Sequence, residues 1–286
     1  MSKYEDYNNV SRNYDNQRFA MGSDVMAAMM QLHCGKPLKD IHVLDAGCGT
    51  GNYAKALIEY GVGHVTLLDA SPGMLEKAKV KLADSIESGR VKEVVEATMP
   101  PIPFPDDSFD AVMFNLVLHH LEEHPDGENF PTIQKVLTEA RRVLKHDGVL
   151  AITSGASPRF YETIWFVHLN PNIATRHLKQ YPHDRKWHEI FRKCGFECSN
   201  YIHNNVDIPE QTMKTLLDPE GPLKKNWRDC NSYWASATPE DLKVVEEKIK
   251  ELKASGTLDQ FVEKHNTCMG FYVTSLLFGK PVSTKE

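Results

Sequence analysis

The stretch Val43-Leu44-Asp45-Ala46-Gly47-Cys48-Gly49-Thr50-Gly51 decides the fold. An apolar run ends in an acid and passes into glycines at alternate positions, and a helix-compatible segment opens at Asn52. Alternate glycines after a strand let the backbone turn sharply and approach a ligand that a Cβ would hold away. Outward from it, a second apolar run, His64-Val65-Thr66-Leu67-Leu68-Asp69, ends in another acid. That acid lies about twenty residues past the turn, the spacing at which a carboxylate accepts the hydroxyls of a ribose. The two runs read as parallel strands with an adenosine-type nucleotide across their carboxyl ends.

The details of the turn narrow the nucleotide. A dinucleotide fingerprint is G-x-G-x-x-G and aims a helix N-terminus at a pyrophosphate. Here the spacing is G-x-G-x-G, with no Lys or Arg in the adjoining sequence to meet phosphates. Three further stretches follow in order: Leu68-Asp69-Ala70-Ser71-Pro72-Gly73-Met74-Leu75, Pro103-Phe104-Pro105-Asp106-Asp107-Ser108-Phe109-Asp110-Ala111 and Leu118-His119-His120-Leu121. With them the chain resembles the class I S-adenosylmethionine-dependent methyltransferases, in particular the small-molecule group with a type 11 methyltransferase domain. The resemblance covers roughly residues 10 to 155 and the last strand. It implies an α/β fold: a Rossmann-like, seven-stranded, mostly parallel sheet with helices on both faces and the final strand antiparallel.

Composition sets limits. The 286 residues suffice for one large domain, and 41% hydrophobic with 25% charged residues is ordinary for a globular chain. A net charge of −6 argues against a nucleic-acid partner, which needs a basic stripe. No apolar run reaches ~18 residues, so no membrane partner is expected. The polar start Met1-Ser2-Lys3-Tyr4-Glu5-Asp6 is not a signal peptide, and six scattered cysteines read as reduced thiols of a cytoplasmic protein. Whether the chain is a monomer or a homodimer is open.

Periodicity places the elements. Met21, Val25, Ala28, Met29 and Leu32 mark one face of a first helix. Strands are expected at about 42–45, 64–69, 91–96, 109–115, 149–153 and 270–278, with helices after the first two. Ile133, Val136, Leu137, Ala140, Val143 and Leu144 form an amphipathic helix that ends at Asp147-Gly148. His188 to Cys194 reads as another helix, turning at Gly195 into a further strand. Beyond residue 155, where all four tryptophans lie, 205–262 exceeds what the fold needs. Thr238-Pro239-Glu240-Asp241 opens a helix there with an N-cap, a proline and first-turn acids, and Leu242, Val245, Ile249 and Leu252 supply its apolar face. The chain is thus expected to be one domain: N-terminal lid helices over 1–35, a cofactor core over 36–155, and a substrate-side half over 156–286 with a cap insertion at about 205–262.

Methyl transfer from a sulfonium is an in-line displacement, so alignment and water exclusion matter more than a catalytic triad. The resemblance implies S-adenosylmethionine as cofactor, a small-molecule acceptor at nitrogen or oxygen, and S-adenosylhomocysteine as product. Asp69 accepts the ribose hydroxyls. Asp45 positions the turn and reads the amino-acid end of the cofactor, which Asn115 also faces. Ala46, Gly47, Gly49, Gly51 and Ala70 approach by backbone, Ala97 and Thr98 meet the adenine, and Met74 packs on it or in the core. Tyr14 and Arg18, in a Tyr-Asp-x-x-Arg pattern, close over the cofactor or begin a helix. His119 and His120 are candidates for a general base or for positioning, and Tyr14 is a third catalytic candidate. His120, Tyr161, Trp165, Tyr233 and Trp234 line an acceptor pocket or form the cap's own core. No metal site is expected. A thiol or metalloid methyltransferase would need Cys48, Cys194, Cys198, Cys230 and Cys268 to converge. A non-catalytic cofactor-binding protein and a nucleotide-dependent oxidoreductase are the readings from other classes.

Overall fold

The computed structural model describes residues 19–123, 125–155, 162–229, 231–267 and 271–282. Strands β1 (His42–Ala46), β2 (His64–Asp69), β3 (Val91–Glu96), β4 (Phe109–Asn115), β5 (Leu144–Ser154), β6 (Phe196–Asp207) and β7 (Phe271–Pro281) form one sheet in the order β3-β2-β1-β4-β5-β7-β6. The first five run parallel, and β7 pairs antiparallel with both β5 and β6. This is the mostly parallel seven-stranded α/β sheet the motifs imply.

Alternation along the strands makes two apolar faces. Val43, Val65, Leu67, Ala111 and Met113 face one way, toward α1 (Ser23–Cys34), α2 (Asn52–Glu59) and α3 (Pro72–Lys81). A one-turn helix, α4 (Ala83–Glu87), follows α3. Leu44, Leu68, Val112, Phe114 and Ile152 face the other way, toward α5 (Pro131–Val143) and α7 (Asp184–Lys193), with α6 (Pro171–Leu178) between them in sequence.

Two expectations are corrected here. Helix α1 buries Ser23, Met26, Ala27 and Met30, whereas Ala28 and Leu32 are exposed. The segment is apolar on several sides, so two stripes satisfy helical spacing, and only the sheet selects one. Helix α5 stops at Val143, not at Asp147-Gly148, and Leu144 already pairs with Phe109. The backbone N–H groups of Asp107 and Ser108 donate to the carbonyls of Arg142 and Val143, which ends the helix four residues early.

A third apolar cluster stands apart from the sheet. It joins Trp165, Phe166, Val167, Leu169, Ile173 and Ala174 to Trp227, Tyr233, Trp234, Val245, Ile249, Leu258 and Val262. Its second half comes from α8 (Glu210–Leu216), α9 (Lys225–Arg228), α10 (Pro239–Ala254) and α11 (Leu258–His265). Strand β6 runs to Asp207, so residues 205–207 belong to the sheet. Helix α10 begins with the expected cap: Thr238 Oγ1 accepts from Asp241 N, and Asp241 Oδ2 accepts from Thr238 N. Asp241 also accepts from Asn170 Nδ2 at 2.9 Å and from the Arg176 guanidinium, tying the two chain pieces together.

Candidate active site at the strand ends

The chain runs outward from β1 to β2 and β3, then returns to β4 on the other side of β1. The point of reversal lies between the carboxyl ends of β1 and β4, where open α/β sheets bind ligands. Gly47 N and Cys48 N both donate to the Leu68 carbonyl, at 2.7 and 3.0 Å, so the glycine turn lies across the end of β2. At Gly47 φ is +79°, and a Cβ would lie 2.5 Å from Val117 Cγ2. At Gly49 φ is +53°, and a Cβ would meet nothing within 4 Å. The first glycine is required by packing; the second leaves room for a ligand.

The two acids differ in environment. Asp69 is held by the backbone: Gly49 N donates to Oδ2 at 2.8 Å and Ser71 N to Oδ1 at 2.9 Å. Burial raises its pKa, and these N–H groups oppose the rise. Asp45 is 1% exposed, and neither carboxylate oxygen has a hydrogen-bond partner. Burial, then the charge of Asp69, pushes its pKa up to about 7, while the Asn115 side chain and the Ala54 N–H, close by but outside hydrogen-bond geometry, oppose the rise. Across from it Thr153 Oγ1 donates to Asn115 Oδ1 at 2.7 Å, which fixes the amide and leaves the buried Nδ2 unpaired. Two acceptors and a donor, desolvated and unsatisfied, meet at one strand switch point; buried polar atoms of this kind ordinarily have partners. Phe19, Thr50, Asn52, Tyr53 and Leu116 complete a small cavity with Asp45, the glycine turn and Asn115.

A cation does reach the turn, contrary to the expectation from the local sequence. Lys81 Nζ, at the end of α3, donates to Thr50 Oγ1 at 3.0 Å and to Asn52 Oδ1. It is supplied by packing of α3 on α2 and lies 29 positions beyond Asn52 in the chain.

Other expected residues fall as follows. Ala46 ends β1, and Ala70 follows β2. Gly51 caps α2, packed under Ala78 and Leu82. Ala97 N donates to the Asp69 carbonyl, which places Ala97 and the exposed Thr98 beside the acid. Met74 is 2% exposed in the first turn of α3. Trp165, Tyr233 and Trp234 lie inside the third cluster, their rings packed around Phe166, and none lines the large cleft described below. For these three the cap-core reading is the one the packing supports. Tyr14, Arg18, Tyr161, Cys230 and Cys268 lie outside the described residues. Cys48 packs on one face of the sheet and Cys194 on the other, so these two thiols do not converge.

His119 and His120 sit on a 3-10 turn after β4 with ring centroids 3.9 Å apart. His119 is buried and stacks on Tyr181 at 4.6 Å. Tyr181 in turn shares a hydrogen bond with the fully buried His177, O to Nε2 3.3 Å, and His177 Nδ1 meets Ser236 Oγ at 3.2 Å. Sequence reasoning missed His177 and Tyr181. The only signal was their i, i+4 spacing next to the proline at 182, which does not point to a site unless the partner at Ser236 is known.

Fold and site together define a class I methyltransferase. A family model described as a methyltransferase domain matches residues 44–152. The chain is 30% identical over 190 residues to an uncharacterised methyltransferase, YodH, of Bacillus subtilis, covering 65% of this chain and 74% of that one. It is 34% identical over 154 residues to a demethylmenaquinone methyltransferase of Clavibacter sepedonicus, covering 53% of this chain and 57% of the relative's length. Among solved structures, a candidate methyltransferase from an antibiotic biosynthesis pathway of Anabaena variabilis superposes with a TM-score of 0.65 at 18% identity, covering 89% of this chain and 96% of that one. Geranyl diphosphate C-methyltransferase of Streptomyces coelicolor, bound to S-adenosylhomocysteine, gives 0.50 at 15% identity, covering 91% and 79%. The chain belongs to the class I methyltransferase family and is an enzyme of that family.

Proposed function

We propose that the protein transfers a methyl group from S-adenosylmethionine to nitrogen or oxygen of a small molecule and releases S-adenosylhomocysteine. The observation that carries this reading is the unsatisfied set of Asp45 and Asn115 beneath the open space at Gly49. A bound amino-acid group satisfies it: an ammonium donates to Asp45, and Asn115 Nδ2 donates to a carboxylate. Asp69 has one backbone donor on each oxygen, and a carboxylate has about four acceptor positions, so a ribose diol fits beside them. Ala46, Ala70, Ala97 and Thr98 border the nucleoside by backbone. When bound, S-adenosylmethionine supplies a methyl already activated on sulfur, so this chain's residues align it and exclude water.

No described helix is long and apolar enough to cross a membrane. The acceptor is a compact metabolite held at the carboxyl edge of β4 and β5, beneath a cap built from the third cluster. Relatives named for demethylmenaquinone add quinone-type rings to the candidates. The test is incubation with isotopically labelled S-adenosylmethionine and a metabolite panel that includes amines, phenols and quinols, read by mass spectrometry. Thermal shift with S-adenosylhomocysteine and with NAD accompanies it. A shift with NAD alone would end the methyltransferase reading in favour of an oxidoreductase. A shift with S-adenosylhomocysteine and no labelled product from any acceptor would favour a non-catalytic binding protein.

A further inference from the structure

A second cleft lies apart from the glycine turn, at the carboxyl end of β5, with a volume of about 490 Å³. That is within the range of small-molecule sites, ~300–1,000 Å³. Its floor carries Ser154 and Ser275, paired across β5 and β7 and both buried. Its walls are aromatic: Tyr181, Trp187 and Tyr201. Tyr181 packs against Gly155, where a Cβ would come within 2.3 Å of its ring, and its ring stacks on His119. The cleft is therefore one aromatic ring away from the loop that follows β4 and Asn115.

The rim is cationic, in a chain whose net charge is −6. Lys179 and His183, from the short connection between α6 and α7, and Arg185, in the first turn of α7, all line the cleft. Among the described residues none of the three has an ion-pair partner. Acids stand close to these cations: Asp184 itself lines the cleft, and Glu189 is near enough to His183 to feel its charge. Asp184 accepts from Tyr201 Oη at 2.7 Å, and Glu189 pairs with Lys186. Asp126 accepts from its own loop, from Glu128 N, Asn129 N and Asn129 Nδ2. Glu128 acts on Lys186. His183 Nδ1 accepts from Lys186 N, which turns its other ring nitrogen outward.

We propose that this cleft is the acceptor site and that it selects a compact aromatic ring bearing an anionic group. The ring lies against the aromatic wall that includes Tyr181 and Tyr201, and the carboxylate or phosphate meets Lys179 and Arg185 at the rim. A neutral ring of the same shape lacks the rim contact. The proposal rests on the methyl-transfer reading for what becomes of the ligand, but its binding is measured separately.

The experiment titrates the full chain with 4-hydroxybenzoate, its neutral isostere 4-hydroxybenzamide, and phenyl phosphate, by ligand-observed NMR. Each titration is run with and without S-adenosylhomocysteine. At ~20 mM salt the acid is expected to bind at least ~5-fold tighter than the amide, and the preference is expected to vanish at ~0.5 M salt. The doubly substituted Lys179→Gln, Arg185→Gln protein is expected to lose the preference and keep wild-type affinity for S-adenosylhomocysteine. The ratio of phenyl phosphate to 4-hydroxybenzoate affinity tells which anion the rim fits. Equal affinity for acid and amide, or an unchanged preference in the double variant, overturns the proposal. Binding of S-adenosylhomocysteine without any aromatic acid overturns it alone. Binding of the acid without S-adenosylhomocysteine upholds it and overturns the methyl-transfer reading instead.

Discussion

Asp45 and Asp69 are both raised in pKa by burial, but only Asp69 accepts a backbone N–H on each oxygen. Asp69→Ala removes an anchor of Gly49 and the carboxylate proposed to accept the ribose hydroxyls. It is expected to weaken S-adenosylhomocysteine binding on the order of 100-fold, two charge-assisted hydrogen bonds at about 1.5 kcal/mol each. Calorimetric titration giving wild-type affinity would dismiss this role. Burial pushes the Asp45 carboxyl up to about 7. An ammonium binds its ionised form, so affinity should rise about 10-fold between about pH 6 and pH 8, and Asp45→Asn should abolish the rise. Stability moves the opposite way. The folded pKa lies above the unfolded one, so the folded state holds the extra proton. The free protein therefore loses stability as pH climbs from about 4 to about 7, on the order of 3 kcal/mol from this group. Denaturant melts of wild type and Asp45→Asn across that window check the sign; parallel curves would show that Asp45 ionises normally.

At the scale of the element, the glycine turn contains two different constraints. Gly47→Ala drives a Cβ into Val117 at a left-handed φ, so the turn cannot form. Gly49→Ala meets no neighbour and carries only the conformational cost, about 1 kcal/mol. We expect Gly47→Ala to lower thermal stability sharply and Gly49→Ala to fold normally while losing cofactor affinity, because the added methyl occupies space meant for the ligand. Thermal melts paired with S-adenosylhomocysteine titration separate the two, and a Gly49→Ala protein with full affinity would move the cofactor away from the turn. The elements bearing this turn were legible because each is decided locally. Strands β2, β3 and β4 have the bounds their apolar runs and flanking turn residues predict. The early end of α5 was not legible, since it depends on carbonyls captured by residues 107 and 108.

For the whole molecule, the third cluster is two chain pieces sharing one core. Residues 162–180 and 208–267 meet in the third cluster and through Asp241 with Asn170 and Arg176. Asp207 and Phe271 are paired, so a short Gly/Ser link could close β6 onto β7 after 208–267 is removed. That deletion would strip the covering from Trp165, Phe166 and Ile173, which are now buried. It is expected to aggregate, whereas the same deletion with these three replaced by polar residues should stay monodisperse and bind S-adenosylhomocysteine. Size-exclusion chromatography decides, and a monodisperse simple deletion would show that the two pieces are independent.

From its residue order alone this protein declared its strand-turn-helix nucleus, the glycine turn, both strand-end acids and the seven-stranded class. The first three are encoded within a window of a few residues, by side-chain period, by glycine placement or by an acid at a strand end, and the seven-stranded class was implied by the family that four such motifs in order resemble. What only the tertiary structure decided spans long stretches of chain: Thr153 orienting Asn115 toward Asp45, Lys81 reaching the turn, the face that α1 buries, and Tyr181 set between His119 and His177. The tryptophans looked alike in sequence as pocket or core. Their place was settled by which surfaces found apolar partners across the fold, a property of packing that no local pattern carries.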